Sequence, residues 1–127
     1  MKVGFVQFNP VFNDKDKNFA TVENLLKGIN AELIVLPELF NTGYTFLTKT
    51  ELNNLSEPAT GSSYDFMFKL ARQYKCAFAY GFAEKEDDCL YDSMALVSPD
   101  GLIGVYRKIH LFFEEKKFFQ PIPFQSV

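Results

Sequence analysis

An α/β fold is predicted by three features met in order near the start of the chain: an alternating apolar strand, an amphipathic helix, and a short branched run stopped by proline. Residues 2–8 put Val3 and Phe5 on one face and Val6 and Phe8 on the other, which suits a strand covered on both sides. Between residues 18 and 30, Phe19, Val22, Leu25, Leu26 and Ile29 recur at three- and four-residue steps, with Asp14 or Asp16 placed to cap the helix. Residues 32–36 are short and apolar, and Pro37 ends them. A strand, a helix and a strand of these lengths form a βαβ unit, so the two strands are expected to be parallel neighbours.

Residues 41–60 are rich in Thr, Asn, Gly and Ser and read as a long loop with one short helical turn near residues 48–55. Long loops in compact domains are often functional. A second helix is predicted over residues 62–75, where Ser62 and Asp65 fit a capping box and Met67, Leu70, Ala71 and Tyr74 share a face. In the next strand Cys76, Phe78, Tyr80 and Phe82 form a bulky face, while Ala77, Ala79, Gly81 and Ala83 form a nearly flat one that invites close packing. Residues 84–88 read as the solvated end of a hairpin, and residues 90–97 as its return strand. Ser98-Pro99-Asp100-Gly101 is a turn that brings in a last strand over residues 102–106.

The 127 residues are one domain's worth, with 47% hydrophobic and 23% charged positions, enough to bury a core. Thirteen basic against sixteen acidic residues leave a net charge of −3, without the positive field that nucleic acid or anionic lipid needs, so neither is an expected partner. The apolar start is interrupted by Gln7, Asn9 and Pro10, short of a signal-peptide core or a membrane span, and a cytoplasmic location is expected. Cys76 and Cys89 are expected to be free thiols. With one histidine, His110, and no His/Cys cluster of zinc-ligand spacing, no dedicated transition-metal site is expected.

Three charged residues stand where chemistry is possible. Glu38 follows an apolar strand and a proline, at the carboxyl end where open α/β sheets place their sites. Lys108 lies just past a strand, where a fixed positive charge can meet a developing oxyanion, and Glu115 comes seven residues later. Each has a plainer reading: a glutamate facing water, a strand-end lysine, and a solvated charge run. His110 reads as a packed, hydrogen-bonded residue rather than a catalytic base.

The segments VGFVQFNP, LIVLPELFNTGY, LYDSMALVSPDG and VYRKIHLFFEEKKFFQP together resemble the N-terminal half of a carbon–nitrogen hydrolase of the nitrilase superfamily, over residues 1–121. The resemblance implies a four-layer α-β-β-α sandwich that hydrolyses non-peptide C–N bonds of small amides or nitriles by a Glu-Lys-Cys mechanism without metal or organic cofactor. It also implies roles: Glu38 as the general base that makes thiolate and later activates water, Lys108 as the oxyanion's partner, and Glu115 as the second glutamate, positioning substrate or lysine. The HLF-type lysine motif is closer to amidases than to true nitrilases.

One departure accompanies the match. In the resembled family the nucleophilic cysteine follows the second glutamate on a later strand, and here no cysteine follows Glu115; the chain reads Pro121-Ile122-Pro123-Phe124-Gln125-Ser126-Val127. Cys76, on a core strand, and Cys89, in a hairpin before the lysine, are poor substitutes, because buried cysteines are usually inert. Residues 1–127 are therefore expected to be a single partial domain, truncated before the nucleophile strand and inactive alone. The alternative is a non-catalytic assembly or binding module that self-associates through an uncovered sheet face, with the flat alanine face and Phe118, Phe119 and Phe124 as contacts; a homo-oligomer is expected either way.

Overall fold

A computed structural model describes residues 1–122. Its centre is a five-stranded sheet in the order β1 (Val3–Phe5), β2 (Leu33–Val35), β3 (Ala77–Glu86), β4 (Cys89–Ser98), β5 (Gly101–Arg107). The first three strands are parallel, with Val3 opposite Leu33 and Leu33 opposite Ala77, and the last two are added by antiparallel hairpins. The crossovers carry α1 (Lys15–Leu25) and α3 (Ser62–Tyr74), and the long loop carries α2 (Lys49–Leu55).

Local signals account for the helix boundaries. The Asp14 carboxylate accepts from Lys17 N and starts α1 three residues before the apolar stripe does. Leu25, read as part of that stripe, is exposed, because it faces away from the sheet. Thr48 and Glu51 form a capping box on α2. The box expected at Ser62 and Asp65 does not form; Gly61 is the N-cap of α3, and the free N–H at Ser63 is taken by Oε1 of Glu57, at 2.7 Å. Glu57 is buried, and its other oxygen accepts from Lys15 Nζ at 2.7 Å, so one carboxylate ties the starts of α1 and α3 together.

The helices cover one face of the sheet. Val6, Ile34, Leu36, Phe78, Tyr80, Phe82, Ala95 and Val97 point to that face and meet Val22, Leu26, Met67 and Leu70. The opposite face is open: Val3 and Phe5 are 56% and 74% exposed, which corrects the expectation that the first strand is covered on both sides. Pairing registers align Phe5, Val35, Ala79, Leu96 and Gly104 in one row across this face. Helix and sheet are thus the two layers of an α/β fold, with a sheet face of the kind a second sheet covers in a sandwich.

A second apolar cluster of Leu39, Phe46, Leu52, Ala83, Leu90, Leu111 and Phe119 lies at the carboxyl end of β3. It fastens the long loop and residues 111–119 to the sheet, with Phe46 packed edge-on against Phe12 and Phe119 at ring distances of 5.6 and 6.2 Å. Phe119 is therefore buried and Phe118 half-buried on Phe46, so these two are internal packing and not free contact residues; Phe124 lies outside the described residues. The charged stretch after residue 83 is also different from its expected form. Glu84 remains in β3 and is buried, where Arg107 grips it with two nitrogens at 2.9 and 2.7 Å and Ser93 donates at 2.6 Å. Among the described residues no helix is long and apolar enough to cross a membrane.

Candidate active site

The flat face of β3 proves to be the floor on which the site is built. Glu38 leaves the end of β2 past Pro37 and crosses directly over Gly81; a Cβ there would stand 2.7 Å from Glu38 Cα and 2.9 Å from Leu39 N. Phe40 N donates to Gly81 O and fixes the crossing, while Leu39 turns with φ of 49°. Only a residue without a side chain admits this approach.

Lys108 arrives from the other direction. It is the first residue after β5, and its N–H donates to Asp92 O, extending the β4–β5 ladder by one rung. Glu115 comes from a 3-10 turn over Phe113–Lys117, where its backbone N–H donates to Phe112 O and its Oε2 accepts from Phe112 N at 2.8 Å. These three elements bring the predicted residues to one point: Lys108 Nζ donates to Glu38 Oε1 at 2.8 Å and to Glu115 Oε1 at 3.1 Å.

Residue reading alone missed a fourth member, Asp92. It lies on β4 at 3% exposure, with Oδ2 3.7 Å from Lys108 Nζ. Its signal was an acidic residue inside an otherwise apolar strand, in Leu90-Tyr91-Asp92-Ser93-Met94. Glu38, Asp92 and Glu115 each offer an oxygen within 4.8 Å of the others. The Lys108 ammonium lies among them, 2.8 Å from Glu38, 3.1 Å from Glu115 and 3.7 Å from Asp92.

The electrostatics follow from burial and this one cation. Burial first, then the hydrogen bond and charge of Glu38, push the Asp92 carboxyl up to about 8, against the pull of Lys108. Partial burial raises Glu38 too, but its hydrogen bonds with Asp92 and Lys108 and the lysine's charge outweigh this and hold it below its ordinary value. Burial leaves Glu115 raised despite the Phe112 N–H, with the charge of Glu38 adding to the rise. Such groups titrate as a set rather than singly.

Beside the cluster a cleft of about 280 Å³ opens on the uncovered sheet face, lined by Glu38, Lys108, Asp92, Gly81, Met94 and Tyr106 among others. Neither cysteine lines it. Both thiols are free, and burial pushes that of Cys76 up, the reverse of what a nucleophile needs. His110 is exposed rather than packed, because the chain leaves the sheet at Lys108 and its ring has no strand to lie against.

A family profile described as carbon-nitrogen hydrolase matches residues 2–126. The chain is 44% identical over 125 residues to a nitrilase of Pyrococcus abyssi, covering 95% of this chain and 48% of the relative. It is 31% identical to an (R)-stereoselective amidase of a Pseudomonas species, again over 95% of this chain and 44% of the relative. A solved N-terminal amidase with a Gln-Gly peptide superposes with a TM-score of 0.90 at 24% identity, over 96% of this chain and 31% of that one. The chain spans about half the length of the curated relatives it matches.

Proposed function

This chain belongs to the carbon–nitrogen hydrolase family, and we propose that residues 1–127 are one partial domain of an amidase-type hydrolase, supplying the base and the oxyanion partner of a site whose nucleophile comes from elsewhere. The observation that carries this reading is the position of Lys108, held between Glu38 and Glu115 at the edge of an open cleft. The amidase among the relatives supports the substrate class, a small amide or nitrile.

In this reading Glu38 accepts the proton of a cysteine thiol brought against the cleft, and the thiolate attacks the substrate carbon. For an amide, a C–S bond forms and negative charge moves to the oxygen, where the Lys108 ammonium meets it. The C–N bond then breaks, with Glu38 returning the proton to the departing amine. Water, deprotonated by the same Glu38, releases the acid by breaking the C–S bond. Glu115 holds Lys108 from behind and keeps the ammonium pointed at the cleft.

Two results are expected of the 127-residue chain alone. Ammonia release from simple ω-amides and nitriles should remain at background, because neither Cys76 nor Cys89 reaches the cleft; turnover above background would contradict a nucleophile supplied from outside. The open apolar face should also drive self-association, read by sedimentation. A clean monomer at high concentration would count against it.

A further inference from the structure

Hydrogen-bond supply is unequal among the three carboxyls around Lys108. Glu115 accepts at both oxygens, from Phe112 N at 2.8 Å and from Lys108 Nζ at 3.1 Å. Glu38 accepts the shorter bond from Lys108, at 2.8 Å. Asp92 is the most buried of the three, and its Oδ2 receives no hydrogen bond from any described residue, with Lys108 Nζ still 3.7 Å away. Burying an ionised carboxylate without a donor is among the costliest arrangements a protein can adopt, and one ammonium does not neutralise three carboxylates.

A single proton resolves both difficulties, and the count of donors says where it belongs. We propose that Asp92 is a positioning residue of this site, present as the neutral acid and donating its own hydrogen bond to the Glu38 carboxylate. Glu38 is the neighbouring acceptor: oxygens of Glu38 and Asp92 lie within 4.8 Å of each other, and both carboxyls flank Lys108 Nζ, at 2.8 and 3.7 Å. Glu38 is then the carboxylate that stays ionised, steadied from one side by Lys108 and from the other by Asp92, which is the state a general base must hold before it takes a proton. Lys108 in turn remains paired with two carboxylates rather than three, so its charge is less fully cancelled at the cleft. The upward displacement of Asp92 and the depressed Glu38 agree with this division of the proton. Other groups facing Asp92 do not change it: β3 presents Gly81 and Ala83, Tyr106 lines the cleft from β5, opposite Met94, and Glu84 and Arg107 pair with each other from the helix-covered face.

The proposal rests on the same site as the hydrolase reading but is tested without turnover. In the uniformly 13C,15N-labelled 127-residue chain, the side-chain carboxyl carbons of Glu38, Asp92 and Glu115 are assigned through bonds and followed from pH 2 to pH 10. Asp92 is expected to titrate with a midpoint near 8, and Glu38 below the ordinary glutamate range. In Asp92→Asn the upper step disappears while Glu38 remains low, because the amide N–H replaces the acid's O–H. In Asp92→Ala, with the backbone amide spectrum as the check on folding, Glu38 moves upward. An Asp92 midpoint below about 5, or an upper step that belongs to Glu115, overturns the proposal. Because assignment in the unsubstituted chain needs neither variant, a misfolded variant leaves the decision intact. Once the chain is completed with the nucleophile-bearing half of a relative, an ordinary Asp92 alongside amide turnover defeats only this inference, and a protonated Asp92 alongside a folded but inactive completed protein defeats only the hydrolase reading.

Discussion

Lys108→Met is expected to destabilise the folded chain by about 2–3 kcal/mol at pH 8 and by much less at pH 5. Among the described residues the lysine is the one cation within ion-pair distance of Glu38, Asp92 and Glu115, and two of these carboxyls are buried. Breaking a fully buried pair costs about 3–5 kcal/mol. The lower figure applies because the Lys108 side chain keeps 30% of its exposure and water screens part of the loss. The sign with pH follows from proton binding. Asp92 and Glu115 are raised in the folded state, so between their ordinary and raised values the folded chain binds more protons than the unfolded one, and stability falls as pH rises through that interval. Removing the ammonium raises Asp92 further and lifts Glu38 from its depressed value, which steepens the fall. Urea midpoints at the two pH values check this; equal losses at both would mean that Lys108 contributes packing rather than charge.

Gly81→Ala should cost about 2–3 kcal/mol, at the upper end of what overpacking usually costs, and should separate Glu38 from Lys108. The new methyl would meet backbone at 2.7 and 2.9 Å, and backbone tied by a hydrogen bond from Phe40 to the same strand cannot turn aside as a flexible side chain would. Relief requires residues 37–40 to lift off β3, which moves the Glu38 carboxylate and opens the apolar cluster around Leu39. A urea midpoint matching that of the unsubstituted chain would show that the crossing is looser than its geometry implies. Gly104, on the same open face, has nothing within 4 Å of its Cβ position and serves as the control: Gly104→Ala should leave the Glu38–Lys108 contact intact.

What could be read from the sequence was what neighbours in the chain determine. Helix α1 follows from its apolar stripe and from Asp14, and the β4–β5 hairpin from Ser98-Pro99-Asp100-Gly101, because caps and turns act over a few residues. The flat face of β3 was legible as a place of close approach, though not that Glu38 is what approaches. Glu38, Lys108 and Glu115 were singled out by strand-end position and by resemblance, and the structure brings them within hydrogen-bond distance. Burial of charge was not legible. Glu57, Glu84 and Asp92 are buried by partners 42, 23 and 16 positions away, in Lys15, Arg107 and Lys108, and a local pattern assigns such residues to water. The exposure of Val3 and Phe5 was missed for the opposite reason: their alternation describes a strand between two layers, and the described residues provide one.

In the proposed function Glu38 and Lys108 supply half of a hydrolytic site whose thiol comes from elsewhere. Joining residues 1–122 to the remaining half of the Pyrococcus abyssi nitrilase and measuring ammonia release from an ω-amide and a nitrile tests it directly. Turnover is expected in the joined protein, falling by about 10²–10³ in Lys108→Met, the usual cost of losing one oxyanion donor, and comparably in Glu38→Gln. A joined protein that folds but releases no ammonia, or whose activity survives both substitutions, would contradict it.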